Sequence, residues 1–116
     1  MTIAAPLPGR APRGAGTLRT LVALVGRRGT RRLIWDLRDG HAQSFRLLRA
    51  SADGISPSVL NTRLKELRDA GLVALAEAGY VLTPQGVDLV RHLKPLNRWA
   101  SAWGSGVRVR ISPADQ

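Results

Sequence analysis

The chain has 116 residues, enough for one domain with one hydrophobic core. It holds no cysteine, which excludes disulfides, thiolate metal sites and thiol redox sensing, and no apolar run reaches the ~18 residues of a membrane span. Lys and Arg number 18 against 8 acids, for a net charge of +10, and 16 of those cations are arginine. The planar guanidinium fork suits phosphate, so so basic a small domain points to a polyanionic partner. The charge is concentrated early: Arg10, Arg13, Arg19, Arg27, Arg28, Arg31 and Arg32 precede the first carboxylate, Asp36.

Residues 1–16 are rich in Pro, Gly, Ala and Arg without periodicity and read as a flexible basic arm; no secretory signal or membrane anchor is expected, and the cytoplasm is the default compartment. A first helix is expected from about Thr17 to Val25, with Leu18, Leu21, Val22 and Val25 on one face. A second runs from about Thr30 to Arg38, with Leu33, Ile34 and Leu37 as its stripe and Gly40 as its stop. A short third begins near Ser44 and ends before the turn Ala52-Asp53-Gly54.

The fourth helix is the most explicit. Ser56 caps its start, Pro57 occupies the first helical position where a missing N–H costs nothing, Leu60, Leu64 and Leu67 form a narrow buried stripe, and Gly71 ends it. Two short strands follow, Leu72 to Ala76 and Tyr80 to Leu82, around a turn at Glu77-Ala78-Gly79. Thr83-Pro84 repeats the cap-then-proline device and opens a last helix carrying Val87, Leu89, Val90, Leu93, Leu96, Trp99 and Trp103, which Pro95 should kink or break. Residues 104–116 read as a flexible tail, although VRVRI alternates like a strand.

The fold class is therefore mainly α with a small β-hairpin. Helices three and four, joined by a short Gly-containing turn, have the helix-turn-helix layout, and the hairpin behind them makes it winged. In that layout the second helix enters the major groove of DNA and its N-terminal half meets base edges. Here that half carries Ser58, Asn61, Thr62 and Lys65 opposite the leucines. Asn can pair bidentately with adenine, Ser and Thr with bases or phosphates, and Lys with guanine or phosphate. Ser56 and the free N–H groups at the helix start, Arg63 at the stripe's edge, and Arg46 and Arg49 on the preceding helix complete the candidate DNA-binding set. A solvated face of an ordinary amphipathic helix would look much the same; the position in the layout and the basic surroundings favour DNA.

The runs GRRGTRRLIWDLRDG, SFRLLRASADGISPSVLNTRLKELRDAGLV and YVLTPQG resemble the HxlR-type winged helix-turn-helix transcriptional regulators, relatives of the MarR group, over about residues 18–103. The resemblance implies a homodimeric double-stranded-DNA-binding regulator, in which a domain of residues 17–103 dimerises through its first and last helices. Three departures are visible. Gly29 stands where the family usually has a Trp, for which Trp35 offers partial compensation. The wing is short, with the acidic tip Glu77-Ala78-Gly79. The N-terminal cysteine through which many relatives sense oxidants is missing. With so small a wing, Arg10, Arg13, Arg27 and Arg28 of the basic segment are candidate phosphate contacts.

Trp99 and Trp103, spaced i and i+4, fit dimer packing or, alternatively, a surface for a small apolar effector, since flat ligands stack on indoles. His41 and His92 are isolated, so no metal or other cofactor is expected, and no nucleophile–base–orienter set or paired carboxylates point to an enzyme. The competing reading of the whole chain is a degenerate winged-helix module that binds a small apolar ligand or a protein partner.

Overall fold

The computed structural model describes residues 15–52 and 54–107. Five helices and one hairpin follow in order: α1 Ala15–Val25, α2 Thr30–Asp36, α3 Phe45–Ser51, α4 Pro57–Asp69, β1 Val73–Ala76, β2 Gly79–Leu82 and α5 Pro84–Val107. The boundaries follow local chemistry. Ser44 and Ser56 lie in extended conformation before α3 and α4, and each hydroxyl accepts from the backbone N–H three residues on, Leu47 and Val59. At the far end of α4, Gly71 takes a left-handed φ of 77°. Its N–H donates to the Arg68 carbonyl (3.0 Å) and that of Leu72 to the Leu67 carbonyl (2.9 Å), the Schellman pairing.

One core gathers these elements. Leu33 and Ile34 of α2, Leu37 just past its end, Leu48 of α3 and the α4 leucines are at most 1% exposed. Val73, Tyr80 and Leu82 of the hairpin and Val90 of α5 close it, and Leu24 of α1 packs on its edge. Burial of this kind contributes about 25 cal/mol per Å² of apolar surface.

The hairpin is antiparallel, Val73 facing Leu82 and Ala76 facing Gly79, so Glu77 and Ala78 alone form its loop. A third extended piece joins it. Gln43 pairs with Tyr80 through reciprocal backbone hydrogen bonds of 2.9 and 2.8 Å, which ties the start of the helix-turn-helix to the hairpin. Gly79 permits that approach: it has φ 134°, and a Cβ there would lie 2.6 Å from the Gln43 carbonyl group.

Four details differ from the sequence expectations. Helix α2 stops at Asp36, because Leu37 already departs from helical geometry. Helix α5 runs unbroken through Pro95 and on to Val107, beyond the expected start of the tail. Pro95 is on the exposed side, where the Arg91 carbonyl that loses its donor can turn to water. Trp35 does not replace the family's core aromatic. It lies outside the core cluster and carries the Arg38 guanidinium 4.9 Å from its ring, while the space over Gly29 is taken by the Ile55 side chain, which a Cβ there would meet. Residues 1–14, with Arg10 and Arg13, and residues 108–116, with most of VRVRI, lie outside the described residues.

Candidate nucleic-acid interface

Helix α4 divides cleanly into two faces. Leu60, Leu64 and Leu67 are fully buried, which fixes the rotation of the helix about its axis. Ser58, Asn61, Thr62 and Lys65 are all exposed on the other side. Nothing else among the described residues covers them.

Their present hydrogen bonds are local. The Ser56 and Ser58 hydroxyls lie 3.3 Å apart. Thr62 Oγ1 donates to the Ser58 carbonyl at 3.0 Å, and Lys65 Nζ reaches Asp69 Oδ2 at 2.9 Å. The last is an exposed i,i+4 ion pair and holds the ammonium only weakly. Among the described residues the Asn61 amide makes no hydrogen bond, so both its donors and its acceptor face outward. On α3, Arg46 and Arg49 are exposed and make no side-chain hydrogen bond or ion pair among the described residues.

Three of the candidate arginines are occupied within the protein. Arg63 is only 18% exposed; its Nε donates to the Arg28 carbonyl at 3.0 Å and its Nη1 to Glu66 Oε1 at 3.2 Å. Arg27 Nη1 approaches the other oxygen, Glu66 Oε2, at 3.4 Å. Arg28 Nη2 donates to the Gly54 carbonyl at 3.4 Å. The sequence reading grouped Arg27 and Arg28 with the basic arm; in the structure they sit in the α1–α2 connection and touch α4 and the turn before it. Glu66 reads in the sequence only as an acid further along the helix; its spacing of three from Arg63 is the signal for their pairing.

Further from α4, apolar side chains stand exposed on two helices. Leu18 and Val22 lie one turn apart on α1. Leu96, Trp99 and Trp103 line one side of α5, with the tryptophans 62% and 47% exposed. Their rings stack at 5.8 Å between centroids and 8° between planes. No group of three or more potential metal-binding side chains occurs among the described residues, and no described helix is long and apolar enough to cross a membrane.

A helix-turn-helix made of α3 and α4, a hairpin behind it and a bare polar face on the second helix define a winged helix-turn-helix DNA-binding protein. Residues 24–107 match the family model for the HxlR-like helix-turn-helix, and the chain belongs to that family. It is a family of transcriptional regulators. Among solved structures the chain is similar to the quinone-bound YodB from B. subtilis, at 28% identity and a TM-score of 0.68, over 73% of this chain and 96% of that one. It is also similar to a possible HxlR family transcriptional factor from Thermoplasma volcanium GSS1, at 32% identity and TM-score 0.64, over 73% and 82% of the two chains. The reduced form of the transcriptional regulator YodB gives 25% identity and TM-score 0.66 over 76% and 92%. No match is found among curated proteins.

Proposed function

We propose that the chain regulates transcription as a homodimer that binds a pseudo-palindromic operator, with α4 of each subunit in the major groove. The observation that carries this reading is the face of α4 bearing Ser58, Asn61, Thr62 and Lys65, left open while the leucines opposite it are sealed in the core. Those four side chains are the candidates for sequence choice. Arg46, Arg49 and the N-terminus of α4 with Ser56 are the candidates for phosphate. Arg10 and Arg13 would add contacts from the arm. The exposed apolar residues of α1 and α5 support pairing of subunits through these helices, because exposed apolar surface on a helix face marks association. Two α4 helices would then meet half-sites about one turn of duplex apart, ~34 Å.

A mobility-shift titration with the DNA upstream of the gene, against an equal length of unrelated duplex, tests this. Retardation of the upstream fragment that resists competition and weakens with salt is the expected result. Equal retardation of both duplexes would refute operator recognition.

A second reading concerns an effector. YodB is seen bound to a quinone, and this chain carries two stacked, exposed indoles on α5. A small planar apolar molecule could extend that stack. Titration of tryptophan fluorescence with quinones should then show saturable quenching that Trp99→Leu removes. Unsaturable quenching, shared with Trp99→Leu, would dismiss the effector.

A further inference from the structure

Backbone hydrogen bonds run through the segment between α1 and α2. Gly26 N–H donates to the Val22 carbonyl at 2.9 Å, Arg27 N–H to Leu24 at 3.3 Å and Thr30 N–H to Arg27 at 3.1 Å, so turns run continuously from one helix into the next. The same segment is fastened to the helix-turn-helix at several points. Glu66 on α4 receives Arg27 from the segment and Arg63 from its own helix, one on each carboxylate oxygen. Arg63 also binds the Arg28 carbonyl, Arg28 binds the Gly54 carbonyl, and Gly29 abuts Ile55. Glu66 and Arg63 are a quarter exposed or less, so this charge pairing is shielded more than a surface ion pair.

We infer that Glu66, gripping Arg27 and Arg63, is a positioning latch that sets the angle between α1 and the recognition helix and thereby the half-site spacing the dimer accepts. The inference rests on the proposed reading of α1 as a dimer helix and α4 as the DNA reader. In such a dimer α1 belongs to the fixed frame and α4 is the part that must meet the groove. In α1, Leu24 packs on the core and Leu21 and Val25 are half-buried, while Leu18 and Val22 stand exposed. The latch is then the charged link between the end of the frame helix and the reader, beside the Arg28 and Gly29 contacts. It also explains why a protein with an excess of cations spends two arginines on one internal carboxylate beside its reading helix.

The test uses the full chain. The wild type first selects its preferred paired site from a pool of random duplexes. Affinities are then measured for that site, for versions with the half-sites moved one base pair closer or further, and for a single half-site. Glu66→Gln is compared with Asp39→Asn, which changes net charge equally at an exposed position away from the latch. Both substitutions raise affinity for every duplex through charge alone. Only Glu66→Gln should lower the preference for the correct spacing, by about fivefold, the small end of coupling between linked sites.

Arg27→Gln breaks the latch from its exposed end without disturbing the core, and serves if Glu66→Gln melts early. A phosphate role for Arg27 would reduce binding to all spacings alike; the latch predicts a loss confined to the spacing preference. Unchanged spacing preference in Arg27→Gln, or in a folded Glu66→Gln, overturns the latch. Failure of the wild type to select any paired site overturns instead the operator reading on which it rests.

Discussion

Asn61 is the residue on which sequence choice should turn most visibly. Its amide is exposed near the start of the reading helix and makes no hydrogen bond among the described residues, so engaging a base breaks nothing within the protein. Asn61→Ala should cost ~1–3 kcal/mol on the selected site and relax the preference at one or two base pairs. Equal losses on selected and unrelated duplexes would identify Asn61 as a backbone contact. Leu64, in the neighbouring buried stripe, is 1% exposed and packed in the core. Leu64→Ala should lower stability by ~2–5 kcal/mol in a denaturant titration. A loss below ~1 kcal/mol would show that α4 is not fixed by its leucines. Both residues were legible in the sequence, because the 4-and-3 spacing of Leu60, Leu64 and Leu67 marks the buried stripe and leaves Asn61 on its flank. The engagement of Arg63 was not. An arginine at a helix's boundary can turn outward to phosphate or inward to a carbonyl, and the Arg28 carbonyl that receives it is 35 residues away.

Among the elements, α5 shows best how local chemistry starts a helix and how tertiary packing extends it. Thr83 accepts from the Gly86 N–H at 3.1 Å and donates to the Gly71 carbonyl at 2.6 Å. One hydroxyl thus caps α5 and fastens its start to the end of α4. Thr83→Ala should therefore cost ~1–2 kcal/mol, near the top of the usual range for a cap. Thr83→Ser should recover most of it; equal destabilisation by both would assign the effect to the threonine methyl group. The cap was readable from Thr83-Pro84, as α4 was from Ser56-Pro57 and Gly71. The passage of α5 through Pro95 was not, because the cost of a proline depends on whether the freed carbonyl faces protein or water. The extended piece at Gln43 escaped notice for another reason: a single pair of residues leaves no period to detect, and its one trace in the sequence is Gly79.

At the scale of the molecule, two expectations concern assembly and charge. Leu96, Trp99 and Trp103 form an exposed apolar line on a helix 24 residues long. If that line is the subunit interface, Trp99→Lys should convert dimer to monomer in sedimentation without lowering the melting temperature of the wing and core by more than a few degrees. Retention of the dimeric mass would move the interface elsewhere. Deleting residues 1–16 removes Arg10 and Arg13. Were both to touch phosphate, the slope of log affinity against log salt would flatten by about 2. An unchanged slope would leave the arm without a role on DNA. Much of this level could be anticipated from sequence, since net charge and the order of elements are properties of the whole chain. The fastening of α1's end to α4 could not, because each partner is separately unremarkable and only folding brings Arg27 beside Glu66.

The two-residue loop of the hairpin carries a consequence for the operator. A wing that turns at Glu77-Ala78 ends early, and the side chain at its tip is one that phosphate repels. On the proposed reading, the protein grips each half-site from the major groove inward and leaves the adjoining minor groove untouched. Its footprint should be shorter than that of a long-winged reader, and the outermost bases of its target sites free to drift from promoter to promoter.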